Sequence, residues 1–576
     1  MEMILKKIST AVTTSKQYLM LLAVFVFTAN VASAQEMELR LLNHWDNLDG
    51  TIERGFAGRS IFFKDGDVSY DPQRIEQYAQ MNKAFGINGA VINNVNASPQ
   101  ILATEKLKKI VGIADIFRKN GLKLYLSINF ASPMVLDSMK TADPLDSQVQ
   151  QWWKRKVDEI YSLIPDFGGF LVKANSEGQP GPMDFGRTHA DGANMLADVL
   201  APHKGIVMWR AFVYAANSPD RASQAYEEFM PLDGKFHDNV ILQIKNGPVD
   251  FQPREPVSPL FFALKHTKMM PELQITQEYT GESIHTCFLA SMWKEFFDAT
   301  NDVNFVGVAG VSNIGDSENW CGSDMAVANW VAFGDLALTP TLSPYEIARD
   351  FLRKYYTTDE RFVKPITQLM VESHEAVVSY MMPMGLHHIF ADGHHYGPAP
   401  WSAPKGVRAD WTPVYYHKAD SKGLGFDRMA TGSNNIAQYP EHLQEFYSEI
   451  STENPLILWF HHVPWDYKMD NGKTMWQNLC LTYDRGVAKA EEFVKVWESI
   501  KPYIDEKRYN DQLTRFQRQA KDAWWWRDAC LLYFQTFSKM PFPKGSPAPR
   551  HKLDDLMKYR LLMDNYTAAD MSKLPD

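Results

Sequence analysis

The chain has 576 residues but only four cysteines, Cys287, Cys321, Cys480 and Cys530. They are widely scattered and form no C-x-x-C pair, which excludes a disulfide framework and the usual zinc or thiol-redox spacings. In a chain of this size they read as small core residues, with a single bridge left open. An excess of positive charge is lacking too: 59 Lys and Arg face 69 Asp and Glu, for a net charge of −10. Nucleic acids and anionic membranes are held by clustered cations, so the balance argues against both as partners. No P-loop, nucleophile elbow, dinucleotide fingerprint or H-E-x-x-H is found, and neither a cofactor nor a metal is expected. Low-complexity tracts and short internal repeats are absent. After the N-terminus, no charge-free apolar run reaches the length of a membrane span.

The first 34 residues stand apart. Lys6, Lys7 and Lys16 precede an apolar stretch from Tyr18 to Ala29, followed by Ala32-Ser33-Ala34. A positive region, a short apolar region and an A-x-A site predict a secretory signal cleaved after Ala34. The apolar stretch is shorter than the roughly 20 residues a spanning helix needs. The mature protein is therefore expected to be soluble and exported, periplasmic or extracellular.

With 45% hydrophobic residues the chain can bury a large core, and its length suits one barrel-sized domain plus a second. Between residues 37 and 340, continuous apolar runs predict strands at Leu39–His44, Gly89–Asn94, Lys123–Asn129, Gly169–Ala174, Ile206–Phe212, Val240–Lys245, Leu273–Glu278 and Phe305–Val311. Such runs suit parallel strands covered on both faces. Helical patterns lie between them. Glu105–Lys119 carries Leu107, Ile110, Val111, Ala114 and Phe117 at 3/4 spacing, with Gly121 as a stop; Pro144–Ile164 and Ser283–Ala299 are others. Eight strand–helix repeats in about 300 residues predict a (β/α)8 TIM barrel, an α/β fold. From Ser343 onward long helical periods dominate, at Tyr345–Tyr356, Phe362–Met381, Ala488–Ile504 and Tyr509–Phe537, with a Pro/Gly/aromatic loop over Pro383–Lys422. The expected division is a signal at 1–34, a catalytic barrel at 35–340 and a mainly α-helical C-terminal domain at 341–576.

In such a barrel, function sits on the loops past the C-terminal strand ends. Those positions hold Asn43-His44-Trp45-Asp46, Lys173-Ala174-Asn175-Ser176-Glu177-Gly178, Trp209-Arg210, Lys245-Asn246-Gly247-Pro248-Val249-Asp250 and Gln277-Glu278-Tyr279. A single charged residue at a strand end is usually a loop contact. Glu177, Asp250 and Glu278 converging with Lys173, Arg210 and Lys245 on one face are hard to justify as packing. Carboxylates beside an aromatic platform point to glycosidic bond hydrolysis, one donating a proton to the leaving oxygen and another activating water or attacking the sugar. The cations point to an anionic sugar, whose carboxylate Lys173, Arg210 and Lys245 would hold by charge-assisted hydrogen bonds.

The run Leu42-Asn43-His44-Trp45-Asp46-Asn47-Leu48-Asp49-Gly50-Thr51-Ile52-Glu53-Arg54-Gly55 resembles the opening barrel motif of glycoside hydrolase family 67, the α-glucuronidases. Lys173–Pro182, Gln243–Gln252 and Gln274–Tyr279 are similar to that family as well, and the likeness runs from about residue 39 to the C-terminus. The resemblance implies Glu177 as general acid, with Asp250 and Glu278 positioning the nucleophilic water of an inverting hydrolase. It implies Trp45, Lys173, Arg210 and Lys245 around the glucuronic acid, and Val95 shaping the pocket near the 4-position. The implied substrate is a xylo-oligosaccharide bearing α-1,2-linked (4-O-methyl)glucuronic acid, and the implied assembly a homodimer through the C-terminal domain. Members usually carry a further β-rich domain before the barrel, which this sequence is expected to lack. A general acid must be protonated at working pH, and Lys173, four residues before Glu177, would oppose that if close. Its ammonium is therefore expected to face the substrate.

His387-His388, His394-His395 and His461-His462 are read as loop packing or active-site lining rather than metal ligands. Trp524-Trp525-Trp526 lies in a helical period and reads as core or subunit interface. Two alternatives stand beside the inverting hydrolase: a retaining glycosidase of other specificity, and a catalytically silent carbohydrate-binding protein. The intact Glu177, Asp250 and Glu278 argue against the second, which has no need of an acid and a base.

Overall fold

Segments such as Val240–Lys245 and Gly307–Ser312 are buried along their whole length, so both faces need cover. A parallel barrel inside a ring of helices supplies it. In the computed structural model, which describes residues 37–212 and 219–576, eight parallel strands close such a barrel. They are β1 (Leu39–His44), β2 (Gly89–Val91), β3 (Lys123–Ile128), β4 (Gly169–Val172), β5 (Ile206–Arg210), β6 (Val240–Lys245), β7 (Met269–Gln274) and β8 (Gly307–Ser312). Each pairs with the next, and β8 returns to β1. Helices cover the outside, among them Pro72–Ala84, Thr104–Lys119, Ser147–Leu163, His189–Leu200 and Asp324–Leu338. Gly169 opens β4 at φ +134°, where a side chain would collide with the Ile206 carbonyl of β5. The export signal expected at residues 1–34 lies outside the described residues.

The structure corrects three element boundaries. β7 spans Met269–Gln274 rather than Leu273–Glu278. Pro271 has no N–H to give and reads as a breaker, yet it sits inside the strand opposite Ile244 of β6. Glu278 therefore stands on the loop beyond the strand. The helix expected from Ser283 starts only at Ala290. Glu282 and Ser283 are left-handed, and Gln519 supplies what the missing turn would: its Oε1 accepts from Thr286 N at 3.0 Å and its Nε2 donates to Thr286 O at 3.1 Å. In the C-terminal region, the helix read as Ala488–Ile504 begins at Met475, where Thr474 and Gln477 form a capping box.

The remaining long helices, Pro344–Tyr355, Glu360–Met381 and Glu506–Ser538, pack with Met475–Ser499 into a helical layer against the barrel. Trp524, Trp525 and Trp526 are buried; Trp526 Nε1 donates to Tyr396 O at 3.2 Å and Trp525 packs against Tyr559. All four cysteines are buried and free. Among the described residues, no helix is long and apolar enough to cross a membrane.

Candidate active site

A cavity of about 440 Å³ opens at the C-terminal ends of the barrel strands. Trp45, Val95, Lys173, Glu177, Arg210, Lys245, Asp250 and Glu278 all line it. The barrel explains why residues so far apart in sequence meet: Trp45 follows β1, Lys173 follows β4, Arg210 ends β5 and Lys245 ends β6.

Glu177 stands on a tight turn closed by Gln179 N donating to Ser176 O at 2.9 Å. Both central residues, Glu177 (φ +48°) and Gly178 (φ +77°), are left-handed. That conformation is ordinary for glycine and costly for glutamate, and it lifts the carboxyl into the cavity mouth. The Glu177 side chain is 37% exposed and is bonded by the nearly buried Lys173 ammonium through Oε2. Lys173 also donates to Asn96 Oδ1 at 2.8 Å, and burial lowers its pKa below the usual ammonium range. The expectation that Lys173 faces away from Glu177 is thus overturned. Among the described residues no other carboxylate is bonded to this buried ammonium, which turns to Glu177 four residues on.

Asp250 and Glu278 are bound quite differently. Asp250 Oδ1 accepts from Lys245 Nζ at 2.6 Å and from Phe251 N at 2.9 Å, and Oδ2 accepts from Tyr279 Oη at 2.7 Å. Arg221 lies 3.9 Å from Oδ2. Burial alone would raise this carboxyl, but Lys245 and Arg221 outweigh it and hold it well below the usual carboxylate range. Glu278 Oε2 accepts from Gln274 Nε2 at 2.7 Å, while Oε1 pairs with Arg54 Nε at 2.8 Å and with His395 Nδ1 at 2.8 Å. Here too burial pushes upward, and Arg54 and His395 overcome it, so Glu278 is held ionised. An ionised carboxylate only accepts, which places the imidazole proton on Nδ1 of His395. The His395 ring stacks on Tyr279 at 4.4 Å, so one packed network joins the two carboxylates.

The cations are already matched. Arg210 makes a bidentate pair with Glu272 of β7 at 2.8 and 2.5 Å, inside the barrel, where Gln243 of β6 also donates to Glu272. Lys245 is matched by Asp250 and lies 3.5 Å above the Phe212 ring. Sequence reasoning singled out neither Glu272, Arg54, Asn96 nor Asn565, and gave His395 no role beyond packing or lining, though all are in or beside this site. Arg54 was visible in the motif after β1, and His395 in a histidine pair read as possible lining. Glu272 lay hidden in the misplaced strand, and nothing in the sequence marked Asn565. His388, His394 and His395 line the cavity. Among the described residues, no group of three or more His, Cys, Asp or Glu is placed to hold a metal.

Fold and site together define a TIM-barrel protein with a carboxylate-rich pocket at its strand ends. The glycosyl hydrolase family 67 middle domain matches residues 23–320 and the family 67 C-terminus matches residues 321–547. The chain belongs to glycosyl hydrolase family 67. Alpha-glucuronidase A of Emericella nidulans is 41% identical over 555 residues, covering 90% of this chain and 65% of that protein. A probable alpha-glucuronidase A of Aspergillus clavatus is 42% identical over 527 residues, covering 87% of this chain and 62% of that one. The chain thus spans slightly less than two thirds of the length of these curated relatives.

Proposed function

We propose that this chain is an α-glucuronidase that removes α-1,2-linked (4-O-methyl)glucuronic acid from xylo-oligosaccharides with inversion. One observation carries the reading: a single cavity holds two buried carboxylates kept ionised and a third, partly exposed, beside a lysine. Its volume falls within the range of small-molecule sites. The family and the relatives' names support the sugar. Asp250 and Glu278 orient and deprotonate a water, and Glu177 protonates the leaving xylose oxygen. Lys173, Arg210 and Lys245 receive the uronic carboxylate, Trp45 packs on the ring, and Val95 borders the 4-position. The contact between Lys173 and Glu177 gives the substrate a role in its own cleavage. A uronic carboxylate that takes the Lys173 ammonium removes a positive charge from Glu177 and adds a negative one nearby. The substrate thereby frees the Glu177 carboxyl to face the leaving oxygen. Substrates of this kind are polymer fragments, in keeping with the export read from residues 1–34.

The stereochemistry tests the mechanism. Proton NMR of the freshly released sugar is expected to show β-glucuronic acid first, from an α-linked substrate. An initial α signal would mean retention, and the water-activating role of Asp250 and Glu278 would be wrong.

A further inference from the structure

We propose that Arg54 and Asn565 form a positioning pair for Glu278, so that the segment Tyr559–Asp576, which follows the residue-547 limit of the family C-terminus match, is a working part of the site. This rests on the proposed function in naming Glu278 a base. Neither residue is assigned a bond to substrate.

The segment is anchored on both sides of Asn565. Leu556, Ala569 and Leu574 pack with Ile284, Tyr396 and Trp525. Tyr559 Oη donates to Lys573 O at 2.6 Å, Arg518 Nη2 donates to Pro575 O at 2.5 Å, and Ala569 N donates to Glu282 Oε2 at 3.1 Å. Between these anchors Asn565 reaches the cavity and grips Arg54 twice. Its carbonyl accepts from Arg54 N at 2.5 Å, and its Oδ1 accepts from Arg54 Nη1 at 2.8 Å. Arg54 is left-handed, at φ +58°, a conformation that a non-glycine residue keeps only when its surroundings enforce it. The rigid guanidinium fork then transmits the grip: Nη1 is held by Asn565 while Nε lies on Glu278 Oε1 at 2.8 Å. Holding one prong aims the other.

The charges facing this pair fix the direction of the effect. Arg54 is approached by Glu53 of its own loop, by Glu278, Tyr279 and Glu282 from the loop after β7, and by His394 and His395 from the loop over 383–422. Burial pushes Glu282 up to about 8, so at neutral pH it is largely protonated and competes little for Arg54. Glu278 faces Asp250 as well, which repels its charge. When Arg54 is lost or misaimed, burial and Asp250 remain, opposed by His395 and the Gln274 hydrogen bond. Glu278 then holds its proton to higher pH.

The experiment compares wild type, Arg54→Met, Asn565→Ala and Asn565→Asp on a xylo-oligosaccharide carrying glucuronic acid. The acidic limb of kcat/KM against pH is expected to move upward by about one to three units in Arg54→Met, and by less but in the same direction in Asn565→Ala. Most of the Asn565→Ala loss is expected to lie in kcat, and Asn565→Asp, which keeps the accepting oxygen, recovers part of it. A merely structural role would lower the melting temperature and leave that limb in place. An unchanged limb in both Arg54→Met and Asn565→Ala overturns the inference. Should the wild type release no glucuronic acid, the proposed function fails, and the inference is then read without turnover. Carbon-13 NMR of carboxyl-labelled glutamate follows Glu278, assigned by its absence in Glu278→Gln. The same upward shift upholds the pair, and identical titrations refute it.

Discussion

Glu177 and the pair of Asp250 with Glu278 share one cavity but live in opposite surroundings. Glu177 is exposed on a strained turn and bonded to one lysine. Asp250 and Glu278 are buried, each held by at least three groups, two of them distant in the chain. Carboxylates with many fixed partners keep their charge and their place, which suits groups that must orient water. A carboxyl with one displaceable partner is free to turn to the leaving oxygen when that partner is taken. The contrast separates acid from base by environment, since residue type alone could not.

The sharpest way to break that contrast is to delete each side. Asp250→Ala and Glu278→Ala are each expected to lower kcat on the order of 10²- to 10⁴-fold, with the double mutant little worse than either single, as for groups sharing one water. Glu177→Gln should lose comparably on xylo-oligosaccharides but far less when the leaving group needs no proton. Equal losses on both substrates would remove the acid assignment.

A second test concerns stability. Arg210 and Glu272 are buried and bidentate, whereas Lys173 faces a carboxylate that water reaches. Arg210→Met leaves Glu272 buried and unpaired, and should destabilise the fold by about 3–5 kcal/mol. Arg210→Met with Glu272→Leu should regain most of that without regaining substrate binding. Lys173→Met should cost much less stability. A melting series in which the Lys173 and Arg210 variants fall equally would contradict the reading.

The smallest effect is in pH. Both proposed bases are held below their ordinary carboxylate ranges, so the acidic limb of wild-type kcat/KM should lie below that of an ordinary carboxylate. A decline already complete at pH 5 would mean that at least one of the two is not held ionised.

How far these features were legible follows from how local their causes are. β6 could be read because six consecutive buried residues need no distant partner to look like a strand. β7 was misplaced because Pro271 reads as a breaker until the neighbouring register is known. The missing turns at Ser283 depend on Gln519, more than 230 residues away, which no periodicity reports. The site divides in the same way. The barrel rule alone sent Lys173, Arg210, Lys245 and the three carboxylates to one mouth, because each follows or ends an apolar run. Their partners, Glu272 for Arg210, His395 and Arg54 for Glu278, and Asn565 for Arg54, are paired only by the closed fold. The orientation of Lys173 was misjudged because the sequence shows its spacing to Glu177 but not what else lies within reach.

The four buried cysteines have a consequence for where such a chain can fold. Burial pushes the thiols of Cys287, Cys321 and Cys530 up to about 12, and that of Cys480 upward as well. Exchange and oxidation proceed through the thiolate, which at neutral pH is then nearly absent at all four sites. Once the native packing has closed over them, thiol reagents have little to act on. The packing that buries these thiols thus shields them from exchange and oxidation on either side of a membrane.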